Sequence, residues 1–454
     1  MKISPPRSMP SSSSRDRLKR GLKSHSPPGM YANSKGSACQ RDVARSLGIE
    51  LALGLDRFWE RRRKRSDQTS VDVVDMFCGC GGMSAGFEAF NAVIPTYRLL
   101  GAIDIDSDAR ATYAANLGLT PQAIDVSRLA RSQHLLPQFL SEIGRTKSRP
   151  LLLIGCSPCQ GFSSHRNGRG PTDLRNSLFL DFIKIVERSS PDVVIMENVP
   201  ELLTGPYWRY VEQARTRLEA RGYYVHISYH SLAGFGLPQE RFRALLMAMK
   251  MPFAPIHPFL ARNEFLTVRQ AIGRLRPLPA GGSDPDDELH YGVHHKASTV
   301  KTIMHVPPNG GNLPLGYGPP CLRRAHERNG KRAYEDVYGR LHWDKPAITI
   351  TAHARNPASG RFVHPEQHRG LSVREAALLQ GFPKSYWVAG SLDSRIRQIG
   401  NAVPPIFSAC LAAHIAGELA SGALSSSFDT GVNASLGESF ARLIPSLKGV
   451  GNRR

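Results

Sequence analysis

Short apolar runs alternate with longer amphipathic stretches from Val71 to about Met251. Residues 71–76, 99–103, 151–154, 193–196 and 223–227 read as strands, and 177–188 and 207–221 as two of the helices between them. That alternation predicts an α/β fold with a doubly wound, mostly parallel sheet. In such sheets ligands bind outside the carboxyl ends of the strands. Beyond Met251 the period fades for about a hundred residues rich in Pro, Gly, His and Arg, which predicts a second, smaller, loop-rich unit. Order returns with a strand over 347–351. A helix then opens at Ser372, where Glu375 completes a capping box, and closes at Gly381 and Pro383. A last helix follows Pro404-Pro405 and runs to about Ala420. There is no internal repeat.

Charge changes the picture. The 454 residues carry a formal charge of +21 and a pI near 10.0, which favours a polyanionic partner, nucleic acid first. Residues 1–70 hold sixteen Lys/Arg against six Asp/Glu, so nearly half of the excess sits in a Ser-, Pro- and Arg-rich arm expected to be disordered. Within it, 43–65 has helical potential and ends in Arg61-Arg62-Arg63-Lys64-Arg65. Composition breaks sharply at Val71, which leaves open a translation start downstream of residue 1. Residues 421–454 are expected to be a flexible tail. No apolar run of membrane-span length stands out, and no secretory signal is visible. Seven cysteines, an odd number, suit free thiols in a reducing, cytoplasmic compartment.

Candidate chemistry gathers at the strand ends. The first strand runs into Phe77-Cys78-Gly79-Cys80-Gly81-Gly82, where glycines allow close approach to a ligand ahead of a helix N-terminus. The second ends in Asp104-Ile105-Asp106, an acid at a spacing that suits ribose hydroxyls. Ser84 breaks the G-x-G-x-x-G dinucleotide pattern, so loop plus acid points to an adenosine-bearing cofactor of another kind. The third strand delivers Ser157-Pro158-Cys159-Gln160, with the thiol held by the proline-restricted backbone. The fourth delivers Glu197. A thiol and a carboxylate converging on one crevice suggest a nucleophile and an acid. Cys156-x-x-Cys159 also permits a redox pair or, with Cys78 and Cys80, a zinc site. No His at ligand spacing supports zinc, and His290, His294 and His295 are too irregularly spaced for a metal, so no metal is expected.

These residues resemble, in order, the motifs of the cytosine-5 DNA methyltransferase family, in its bacterial, Dcm-like type, over roughly residues 71–420. They are Phe77 to Gly82, Asp104, Pro158-Cys159-Gln160, Glu197-Asn198-Val199, Gln239-Glu240-Arg241-Phe242-Arg243, Arg374 to Pro383, and Gln398 to Pro405. The resemblance implies a Rossmann-like, S-adenosylmethionine-dependent catalytic domain at 71–250, completed by 390–420. It implies a target-recognition domain at 251–389, with duplex DNA in the cleft between them. Cys159 would be the nucleophile and Glu197 the acid, with Gln239, Arg241 and Arg243 at the base. Phe77, Gly79, Gly81, Gly82, Asp104, Ile105, Asp125, Val126, Pro158, Leu178, Asn401 and Ala402 would bind the cofactor. Ser163, His165, Arg166 and Arg169 fall in a basic, glycine-rich loop that would close on DNA around a flipped-out cytosine.

Two other readings compete. An RNA cytosine methyltransferase would use the same residues, though the long basic segment between Arg243 and Ser372 favours duplex DNA. A catalytically silent DNA-binding regulator would need a broken motif, and none is broken. A monomer is expected, acting at the nucleoid if the source is bacterial. Protection against a restriction endonuclease and solitary methylation share this chemistry, and the target sequence follows no transferable code.

Overall fold

The computed structural model describes residues 35–62, 69–158, 177–203, 207–329 and 334–422. Its centre is a six-stranded sheet. The strands are β1 (Val71–Met76), β2 (Tyr97–Ile103), β3 (Leu151–Gly155), β4 (Val193–Asn198), β5 (Tyr224–Ser231) and, after the two-residue β6 (Gln239–Glu240), β7 (Phe242–Met249). Their order is β2-β1-β3-β4-β7-β5. The first four are parallel, while β7 runs antiparallel to both β4 and β5. The mostly parallel sheet expected from the apolar pattern is therefore present, closed at one edge by an antiparallel pair. β7 is an element the pattern did not mark.

Alternation along each strand feeds two apolar layers. On one face Val73, Leu152, Ile154 and Ile195 pack with Phe87 and Phe90 of α3 (Gly82–Asn91) and with the C-terminal helix. On the other, Val74, Leu153, Val194 and Met196 meet the helices Ser177–Ser189 and Trp208–Glu219. Both faces are covered, which is why these strands read as nearly continuous apolar runs.

Of the arm expected to be disordered, residues 35–53 and 55–61 are helical, in line with the helical potential of 43–65. Helices α1 (Lys35–Leu53) and α2 (Leu55–Arg61) occupy its end. Ala44, Leu47, Leu51, Leu55 and Phe58 recur at helical spacing and are buried, so the segment has an apolar face that only packing can hide. Residues 1–34 and 63–68, which include part of the basic run, lie outside the described residues, as do 423–454. The stretch Leu392–Ser421 is long and apolar enough to cross a membrane, but 83% of its most apolar window is buried inside the protein. It is a core element, and the expectation that no such stretch exists is corrected.

The loop-rich unit has short elements only. A hairpin joins β8 (Ser283–Asp284) to β9 (Asp287–Tyr291). The strand expected over 347–351 shrinks to β10 (Ala347–Ile348), parallel to β6. Its continuation is held by side chains instead: Ile350 N donates to Gln239 Oε1 at 2.9 Å and Thr349 Oγ1 to Glu240 O at 2.8 Å. The helix Val373–Leu379 opens with the expected capping box, Ser372 N donating to Glu375 Oε2 at 2.7 Å and Glu375 N to Ser372 Oγ at 3.1 Å. One apolar cluster joins Val268, Trp343 and Phe382 of this unit to Cys80 and Ala85 beside β1.

Candidate active site

β1 ends in a backbone that folds back on itself. Phe77 has φ +60, Gly79 +52 and Gly81 +87. A Cβ on Gly79 would meet nothing within 4 Å, so that glycine faces open space, whereas one on Gly82 would lie 2.2 Å from Val403 O. Gly82 thus serves close packing of α3 on the C-terminal segment, and Gly79 leaves room for a ligand. Beneath the loop, Asp104 Oδ2 accepts from Gly79 N at 2.8 Å and Oδ1 from Asp106 N at 2.8 Å. Burial raises the Asp104 pKa, against the opposing effect of those two hydrogen bonds. Asp106 caps the helix Ser107–Leu117 and pairs with Arg397 at 2.8 Å.

A cavity of about 550 Å³ opens on this loop and extends to the ends of β3 and β4. Of the residues expected to bind a cofactor, Phe77, Gly79, Gly82, Asp104, Ile105, Asp125, Val126, Pro158, Leu178, Asn401 and Ala402 line it. Gly81 does not; it sits at the N-cap of α3, packed against Leu117, Tyr113 and Tyr386. Ile105 is 75% exposed, an apolar side chain left uncovered at the cavity rim. The volume lies within the usual ~300–1,000 Å³ of a small-molecule site.

The same cavity is lined by Glu197, Arg241 and Arg243. Glu197 is buried at the end of β4, and Arg243 Nε approaches its Oε1 to 2.8 Å. That contact is an ion pair without hydrogen-bond alignment, and among the described residues no hydrogen-bond donor is aimed at the buried Glu197 Oε1. Arg241 is placed otherwise. Its Nη atoms donate to Ile350 O, Gly400 O and Ala402 O, each at 3.1 Å. Gln239 is buried away from the cavity, donating to Leu379 O and Gln380 Oε1. Arg241 thus lines the cavity while its Nη atoms hold carbonyls, Gln239 lies outside the cavity, and each ties β6 and its flank to distant chain.

Cys159, Ser163, His165, Arg166 and Arg169 lie outside the described residues. The chain leading to Cys159 is fixed, however. Asn198 Nδ2 donates to Ser157 O at 3.1 Å and lies 3.3 Å from Ser157 Oγ, while its Oδ1 accepts from Val199 N. Asn198 therefore locks the β3 end to the β4 end, two residues before the thiol. Cys156 lines the cavity and is half-buried; desolvation and the nearby Glu197 carboxylate push its thiol pKa well up, which favours the protonated thiol over the thiolate. No group of three or more metal-ligating side chains occurs among the described residues, and Cys78, Cys80 and Cys156 are free thiols.

Sequence reasoning passed over Asp75. It shares a strand face with Val73, accepts from Ser84 Oγ at 2.6 Å and lines the cavity. Complete burial lifts its pKa to about 7, against the Ser84 hydrogen bond and with help from Asp104. The signal was available as an acid between Val74 and Met76 in an apolar strand.

Comparison with known proteins places these features in context. The model of the C-5 cytosine-specific DNA methylase family matches residues 71–417. Type II methylase M.HgiDII of Herpetosiphon aurantiacus is 33% identical over 344 residues, spanning 73% of this chain and 91% of that protein. Type II methyltransferase M1.BsuMI of Bacillus subtilis is 30% identical over 377 residues, spanning 79% and 84%. Among solved structures, an E. coli prophage protein described as a DNA modification methyltransferase superposes with a TM-score of 0.54 at 22% identity, covering 77% of this chain and 99% of that one. The S. pombe Dnmt2 methyltransferase gives 0.51 at 18%, covering 75% and 97%. These two likenesses concern the fold.

Proposed function

The chain belongs to the C-5 cytosine-specific DNA methylase family and is an S-adenosylmethionine-dependent DNA cytosine-5 methyltransferase, and from that premise we propose that Cys159 is its nucleophile and Glu197 its acid. Carbon 5 of cytosine is too weak a nucleophile to take a methyl group unaided. Addition of the Cys159 thiolate to carbon 6 makes carbon 5 electron-rich. Glu197, hydrogen-bonded to or protonating ring nitrogen 3, draws charge out of the ring as the thiolate adds. Bound S-adenosylmethionine supplies an activated methyl group on a sulfonium sulfur. Loss of the carbon 5 proton and expulsion of Cys159 then restore the aromatic base.

The observation that carries this reading is the single cavity. At one end it has the open glycine loop over Asp104, which suits the adenosine end of the cofactor. At the other it has the buried Glu197 carboxylate, paired with Arg243 at 2.8 Å. Asp104 would hold the ribose hydroxyls, Phe77, Ile105 and Val126 the adenine, and Asp125, Pro158, Leu178, Asn401 and Ala402 the remaining wall. Arg243 would orient Glu197. Gln239 and Arg241 are positioning residues that hold 350 and 400–402 around the site.

Reaching carbon 6 requires the cytosine to leave the duplex, and the segment with Ser163, His165, Arg166 and Arg169 would close over the DNA as it does. Residues 251–389 would read the target sequence. We further propose a monomer acting in the cytoplasm, at the nucleoid if bacterial, and sharing its target with a restriction endonuclease it does not contact. The Type II relatives and the basic charge support that setting. Bisulfite sequencing of DNA treated with the protein and cofactor tests the reaction. Protected cytosines in one short motif, absent with Cys159→Ala, are expected. Protection that survives Cys159→Ala would refute the assignment of the nucleophile.

A further inference from the structure

Helices α1 and α2 precede the part of the chain that matches the family, residues 71–417, yet they are built into the cofactor side of the molecule. α1 lies antiparallel on the C-terminal helix Pro405–Gly422. Arg41 pairs with Glu418 at 3.0 Å, and Cys410 Sγ donates to Gly48 O at 3.5 Å. α2 is pinned to residues 384–387. Lys384 N donates to Asp56 Oδ1 at 2.7 Å, and Ser385 Oγ donates to Glu60. Arg62 lies 3.6 Å over the Trp59 ring and donates to Asn116 O, while Asn116 exchanges two hydrogen bonds with the Trp387 backbone.

These contacts converge on one ring pair. Trp59, 1% exposed, packs on Tyr386 with centroids 5.3 Å apart. Tyr386, fully buried, donates its hydroxyl to Cys80 O at 2.6 Å. Cys80 lines the cavity between Gly79 and Gly81. A Cβ on Gly81 would lie 2.9 Å from the Tyr386 hydroxyl, so ring and loop are in close contact. The hydroxyl holds the carbonyl end of the peptide plane between Cys80 and Gly81, whose N–H donates to Cys78 O at 2.9 Å, at a point where Gly79 and Gly81 on either side have positive φ.

We propose that α1 and α2 form a brace for the cofactor loop, in which Trp59 is a positioning residue acting through Tyr386. This rests on the placement of the cofactor at residues 77–82 proposed above. A brace of this kind pre-orders the loop, so its loss is felt in cofactor affinity rather than in the rate of the loaded enzyme.

The test uses the full chain and S-adenosylhomocysteine titrated by calorimetry, with Tm and kcat at saturating S-adenosylmethionine measured alongside. Tyr386→Phe keeps the packed ring and removes only the hydrogen bond. It should weaken binding by about five- to tenfold with kcat within about twofold of the parent. Trp59→Ala should weaken binding at least as much, and Trp59→Phe should restore most of it. Asp104→Ala separates the two layers of the argument. If it abolishes binding while Tyr386→Phe and Trp59→Ala bind like the parent, the brace is overturned and the cofactor placement stands. If Asp104→Ala itself binds like the parent, the placement fails and the brace with it. A fall in Tm without any change in affinity also overturns the brace.

Discussion

The sheet half and the loop-rich unit solve the same problem by different means. Around β1 to β4 the backbone carbonyls are taken up by the strand ladder, and the side chains form two apolar layers. Between 268 and 371 there is little ladder, so buried guanidinium groups take its place. Arg340, with no exposed surface, donates to the carbonyls of Ile303, Val306, His364 and Gln367. Arg369, equally buried, donates to Leu278 O and Gly370 O and holds Glu375 through both oxygens at 2.7 Å. A guanidinium offers five donors in a rigid fork, which suits a chain whose carbonyls point inward without a partner strand. The lesson is that loop-rich chain here is as determined as the sheet, but by a few irreplaceable polar side chains rather than by many exchangeable apolar ones.

The largest effect should fall on the chemistry, which the account confines to the sheet half. Glu197→Gln keeps size and hydrogen-bonding capacity but not the acid, and kcat should fall on the order of 10²- to 10⁴-fold. Tm and S-adenosylhomocysteine affinity should stay near the parent values. A loss seen only in the DNA KM would move Glu197 from chemistry to binding and break the division.

The next effect concerns stability. Arg369→Leu strands the buried Glu375 charge and should cost about 3–5 kcal/mol by urea unfolding. Ile154→Val, one methylene from a fully buried sheet position, should cost only ~0.5–1.5 kcal/mol. Similar costs at the two sites would erase the contrast.

The smallest effect is in pH dependence, and the two halves should differ in sign. Burial alone would raise the Glu375 pKa, but Arg369 overcomes it and holds the carboxyl at about 2. Its stabilisation is therefore complete above the ordinary carboxylate range and is lost as pH falls towards 2. Asp75 has a Ser84 hydroxyl and, among the described residues, no paired cation, and burial puts it at about 7. Its contribution is complete below the ordinary range and is lost as pH rises through 7. Against the parent, Asp75→Asn should gain relative Tm as pH climbs from 4 to 7. A flat difference would show that Asp75 does not titrate in that window.

How far the sequence could be read follows the same divide. β1 to β4 were legible because each is a mostly apolar run that leads into glycines or an acid. β7 was not, since Phe242–Met249 is Ala-, Leu- and Met-rich and of good helix propensity, and only pairing with β4 and β5 makes it a strand. The N-terminal helices were half legible: 43–65 showed helical potential, with Leu47, Leu51, Leu55 and Phe58 at helical spacing, but its basic composition left it grouped with the arm. Within the site, motif order pointed to Phe77, Asp104 and Glu197, all of which line the cavity. Residue type could not show that Arg241 would turn to carbonyls at 350, 400 and 402, because that depends on chain more than a hundred residues away.

The most direct test of the central claim is capture on a duplex carrying 5-fluorocytosine at the methylated position. Fluorine at carbon 5 cannot leave as the proton does, so the thioether formed at carbon 6 should persist. The account predicts a cofactor-dependent adduct that survives denaturation, maps to Cys159 and disappears with Cys159→Ala. An adduct that maps to Cys156, or persists without the Cys159 thiol, would contradict it.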